Sequence, residues 1–88
     1  MVSVFKIIFF YRTEIPEVLN IKAKSDGKVQ IIKDGIKKYG TGQRAPRATI
    51  MAYSDTISQN ETSKRFKLFT VLLDELESNN QIIGYKLV

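Results

Sequence analysis

Cysteine, histidine and tryptophan are all absent from the 88 residues. Without cysteine there are no disulfide staples and no thiol chemistry. Without histidine there is no His-based triad, and without either there is no zinc site of the usual kind. No apolar run approaches the ~20 residues needed to span a bilayer. The longest, Val4–Tyr11, is interrupted by Lys6, ends at Arg12 and lacks a small-residue cleavage site. It therefore reads as a strand rather than a signal-peptide core, and the chain as cytoplasmic with no membrane partner. Repeats, linkers and low-complexity tracts are missing too. What is present excludes a disordered tail: 43% of residues are hydrophobic and nine are aromatic, enough to offset chain entropy. The length fits one small α+β domain, residues 1–88, burying about 60–65% of its unfolded surface.

Charge is uneven. Fourteen Lys and Arg against nine Asp and Glu give a formal net charge of +5. Residues 1–47 carry ten basic and four acidic side chains; residues 48–88 carry four and five. A basic half attracts anions, chiefly nucleic acid or anionic lipid, although a small protein several charges from zero is also simply soluble. Heavy use of Ile and Lys suggests an AT-rich genome, such as that of a phage or other mobile element.

Along the chain, residues 2–12 are rich in β-branched and aromatic side chains and predict a strand. Pro16 makes 13–17 a turn. Residues 18–24 alternate, with Leu19, Ile21 and Ala23 on one side and Asn20, Lys22 and Lys24 on the other, which predicts a second, half-buried strand. Residues 25–40 read two ways. Val29, Ile32, Ile36 and Tyr39 recur at helical spacing, and Lys37, Lys38 and Gly40 suit a helix end. Against that, Asp26-Gly27 and Asp34-Gly35 are strong hairpin-turn dipeptides, which a β-meander would use. The helix is favoured because four apolar positions keep its phase. Residues 40–47 are expected to be a loop and 48–54 a third strand. Ser58 with Glu61 makes a capping box opening a helix to about Ser78, and 81–88 form a last strand. The expectation is an α+β fold in ββαβαβ order: a single four-stranded sheet with two helices on one face, ferredoxin-like in architecture.

Strand alternation assigns the faces. Phe5, Ile7, Phe9 and Tyr11 should pack beneath the helices with Leu19, Ile21, Ile50, Ala48 and Ala52. The opposite, open face should carry Val4, Lys6, Ile8, Phe10, Arg12, Asn20, Lys22, Lys24, Thr49, Met51, Tyr53 and Lys86, with no acid among them. Aromatics between cations suit nucleic acid, since rings stack bases while cations meet phosphates. Lys6, Phe10, Arg12, Lys22, Lys24, Tyr53 and Lys86 are thus candidate nucleic-acid contacts, joined by Arg44 and Arg47 from the basic loop. That loop lacks P-loop spacing, so nucleotide hydrolysis is unsupported. The apolar patch with Ile8 and Met51 suits a homodimer or an acidic protein partner instead. The long helix has Lys64, Arg65 and Lys67 in its first third and Asp74, Glu75 and Glu77 in its last, against the helix dipole. An antiparallel copy would set these clusters opposite each other; solvated charge is the plainer explanation. No acidic pair converges with a third ligand, so no catalytic, metal or cofactor residues are assigned. The leading expectation is a non-enzymatic, basic nucleic-acid-binding module, single-stranded or backbone-directed. The alternative is a protein-binding inhibitor or adaptor acting as a homodimer.

Overall fold

The computed structural model describes residues 3–53 and 59–88, and the side chains of all of these except Ser3, Val4, Tyr53 and Gln59. The expected Ser58 cap and the side chains of Val4 and Tyr53 therefore lie outside the described residues. The elements are β1 (Ser3–Tyr11), α1 (Glu17–Asp26), β2 (Val29–Lys38), β3 (Arg44–Tyr53), α2 (Gln59–Ser78) and β4 (Ile82–Leu87). They build an α+β fold with one four-stranded sheet in the order β2-β3-β1-β4, every neighbouring pair antiparallel. The element order is βαββαβ, not the expected ββαβαβ.

Two corrections produce that change. Residues 18–24 belong to helix α1, not to a strand. Leu19 and Ala23 lie four apart as well as in alternation, and a helix buries both while leaving the intervening Ile21 60% exposed. Pro16 precedes the helix, Glu17 sits in its first turn, and Gly27 closes it at φ 70° with its N–H donating to Lys24 O at 3.3 Å. Residues 29–38, favoured above as helix, are instead one strand, and neither Asp-Gly pair is a hairpin turn. The first is the helix end just described. At the second, β2–β3 pairing passes from Lys33↔Ala48 to Gly35↔Arg47, leaving Asp34 as an inserted residue beside Gly35 at φ 86°. That is a β-bulge. The true turn is Tyr39–Gly42, where Gly42 N–H donates to Tyr39 O at 2.8 Å, so the loop is shorter than the expected 40–47 and β3 begins at Arg44.

The core lies on one face of the sheet. Ile7, Phe9 and Tyr11 of β1, Val29 of β2, Ala48, Ile50 and Ala52 of β3 and Ile82 of β4 meet Leu19 and Ala23 of α1 and Phe69, Leu73 and Leu76 of α2. Phe5 packs edge-on against Phe66, ring centroids 5.0 Å apart. The expected inward row of β1 is thus the buried one. Among the described residues no helix is long and apolar enough to cross a membrane.

Candidate nucleic-acid interface

The face away from the helices is built by β1, β3, β4 and β2. Lys6 aligns with Met51, Ile8 with both Thr49 and Lys86, and Phe10 with both Arg47 and Gly84. From β2 come Gln30 and Ile32, aligned with Met51 and Thr49. Lys22 and Lys24 are absent from this face because they sit on α1, on the opposite side of the sheet; Asn20 moves with them. Lys22 is held by Asp26 at 3.8 Å, one helical turn away.

Nor is the face free of acid. The bulge turns Asp34 onto it, where Oδ2 accepts from Thr49 Oγ1 at 2.6 Å and from Arg47 Nε at 3.3 Å. Arg47 is therefore neutralised locally. Around this group Ile8, Ile32, Met51, Lys6 and Val88 line a shallow depression of about 310 Å³. Arg12 is also engaged, its Nε–H donating to Asn80 O at 2.8 Å in the α2–β4 turn.

Phe10 occupies the expected face but is only 2% exposed. Tyr39 folds back across it from the β2–β3 turn, ring centroids 4.8 Å apart, and Lys86 Nζ lies 6.0 Å from the Phe10 centroid. Tyr39 continues to Gly84, where a side chain would run into its hydroxyl. Ala45, 2% exposed, is the other buried hydrophobic side chain outside the main core among the described residues. A ring so covered cannot stack on a base. None of the other described aromatic side chains is exposed either.

The sheet ends unevenly. β1 pairs with β3 only as far as Phe10↔Arg47, whereas β2 and β3 continue together through Ile36↔Pro46, Lys37↔Ala45 and Lys38↔Arg44. This two-stranded ribbon runs past β1 before its tip turns back. Lys28, Lys33, Lys37, Lys38 and Arg44 along the hairpin are all exposed. Residues 28–47 contain six cations and one carboxylate; the rest of the chain contains eight of each. The hairpin therefore carries the whole net charge. Of its cations only Arg44 and Arg47 were expected as contacts. A sliding charge count would have found Lys28, Lys33, Lys37 and Lys38, but the helical reading of 25–40 scattered them around a cylinder.

The residues expected at a dimer interface divide. Ile8 and Met51 are half-buried on the open face. On α2, Lys64 approaches Glu61 at 4.0 Å, and Arg65 Nη1 donates to Asp26 O at 3.2 Å, meeting the negative end of α1. Lys67 and Glu75 are exposed. Asp74 Oδ1 accepts from the Tyr85 hydroxyl at 2.5 Å, and Glu77 Oε2 lies 3.0 Å from where a Gly84 side chain would begin. Among the described residues no three potential ligands cluster to hold a metal ion. No protein-family model matches the chain, and no match is found among the curated proteins or the solved structures.

Proposed function

We propose that the protein is a non-enzymatic binding module of the cytoplasm, ferredoxin-like in architecture, that engages nucleic acid through the phosphate backbone by its basic β2–β3 hairpin. One observation carries this: the whole net charge sits on residues 28–47, with four exposed cations along two paired strands and a fifth, Lys28, just before them. A two-stranded ribbon is narrow enough to follow a groove or a phosphate ridge, and clustered cations supply affinity by releasing counterions. Stacking of single-stranded bases draws no support, since Phe10 lies under Tyr39. A second reading, a protein-binding inhibitor or adaptor, draws on the depression around Ile8, Ile32 and Met51.

Fluorescence anisotropy with labelled duplex and single-stranded oligonucleotides across a salt series tests the proposal. Affinity should fall steeply with salt. Lys37→Ala, Lys38→Ala and Arg44→Ala together should flatten the log–log slope by roughly 2–3 on duplex, close to one per phosphate contact. Their exposure predicts an unchanged melting temperature. If the wild type binds neither oligonucleotide at low salt, the nucleic-acid reading fails and the protein-partner reading replaces it.

A further inference from the structure

The two free edges of the sheet differ in kind. β2 presents Lys33, Lys37 and Lys38 and is bent by its bulge, devices that discourage another strand from adding. β4 has a single charge, Lys86, among Ile82, Ile83, Gly84, Tyr85 and Leu87, and its irregularity lies at its start, beside Ile83. Among the described residues it is hydrogen-bonded to β1 alone. Val88 N–H donates to Lys6 O at 3.2 Å. Antiparallel ladders alternate inward and outward groups, so the amides of Lys86 and Gly84 also face β1. Those of Leu87 and Tyr85 face outward, and the irregularity beside Ile83 ends the alternation there.

We propose that this edge is a dimer interface, β4 pairing antiparallel with β4 of a second copy about a two-fold axis at Tyr85. This register pairs the outward amide of Tyr85 with its own copy, sets Leu87 beside the start of β4 of the second copy, and covers a Leu87 side chain that is 57% exposed. Charge complementarity selects the partner. Lys86 falls opposite Gly84 of the second copy, where the Glu77 carboxylate of that copy waits (Oε2 is 3.0 Å from the would-be side chain). The contact occurs twice by symmetry. A register centred on Lys86 would oppose like charges and would use amides already bonded to β1.

The same axis sets the two α2 helices antiparallel along the seam. Asp74 and Glu77 lie on the β4 side of α2, next to Tyr85 and Gly84. Helical spacing places Lys67, seven residues before Asp74, on that side too. Asp74, bonded to Tyr85 beside the axis, lies nearest its counterpart in the second copy, so the two Lys86–Glu77 contacts supply the charge complementarity of the pair.

Sedimentation equilibrium over a concentration series reaching roughly 500 µM should give a dimer. Lys86→Glu or Glu77→Lys alone should weaken it about tenfold, and the two together should restore it. Hydrogen exchange should find the Tyr85 and Leu87 amides slow in the dimer and fast on dilution, while Ile7 and Ile50 stay slow in both. A wild type that remains monomeric overturns the proposal. So does a dimer whose Tyr85 and Leu87 amides exchange as in the monomer, or a charge exchange that fails to restore association. None of these outcomes depends on whether the hairpin binds nucleic acid.

Discussion

Gly84 closes the far side of the sheet. Its lack of a side chain admits the Tyr39 hydroxyl, and Tyr39 in turn covers Phe10. Gly84→Ala should therefore force the Tyr39 ring and the hairpin tip to shift, at a cost of about 1–3 kcal/mol. In a Tyr39→Ala background the same substitution should cost much less, so a double-mutant cycle by denaturant melts isolates the contact. Additive losses would mean that Tyr39 does not rest on Gly84. One strand position later, the Tyr85 hydroxyl donates to Asp74. That hydrogen bond, burial, and the charges of Asp74 and Glu77 push its pKa from 10.0 up to about 12. The folded state thus holds the phenolic proton more tightly than the unfolded chain does. The resulting stability is complete below about pH 10 and is lost as pH rises through about 12. Chemical denaturation from about pH 9 to about pH 11.5 should show a larger loss for the wild type than for Tyr85→Phe; equal losses would contradict the assignment.

At the scale of elements, α2 and the end strands were legible because one period ruled each of them. Phe69, Leu73 and Leu76 recur every three or four residues and are all buried, with Phe69 and Leu73 at 0% exposure. Phe69→Ala or Leu73→Ala should destabilise the fold by about 2–5 kcal/mol, most of what a domain this small possesses. A melting temperature unchanged within ~3 °C would show that α2 does not bury this stripe. The middle of the chain misled for a physical reason. Leu19, Ile21 and Ala23 satisfy strand alternation, but two of the three also satisfy the four-residue helical repeat, so a short segment cannot choose between them. Asp-Gly supplies a positive φ wherever one is needed. Here it serves a helix end at Gly27 and a bulge at Gly35, and a hairpin turn at neither. The bulge also breaks the phase of β2, which let Val29, Ile32 and Ile36 imitate a helix.

Across the whole molecule, placement of charge outweighs its amount. Eight cations and eight acids outside residues 28–47 cancel, and several are tied to one another, as Lys22 is to Asp26 and Lys64 to Glu61. Removing Lys22, Lys64 and Lys67 by alanine lowers net charge as much as removing Lys37, Lys38 and Arg44. Yet the first set should leave the salt slope of nucleic-acid binding almost unchanged, and the second should flatten it. Equal effects from the two sets would mean that the protein acts as a diffuse polycation rather than through the hairpin.

The class of the fold, the inward row of β1, the apolar stripe of α2 and the basic character of the first half were all legible in the order of residues. Each follows from side-chain periodicity or composition, which are properties of neighbours along the chain. Packing in three dimensions was needed to make α1 a helix, to take Lys22 and Lys24 off the open face, and to bring Asp34 onto it beside Arg47. Packing also covers Phe10, which points outward on its strand. That covering comes from Tyr39, 29 positions away in the chain, resting on a glycine beyond it. Exposure of an outward side chain depends on what distant segment crosses above it, and local pattern carries no record of that crossing.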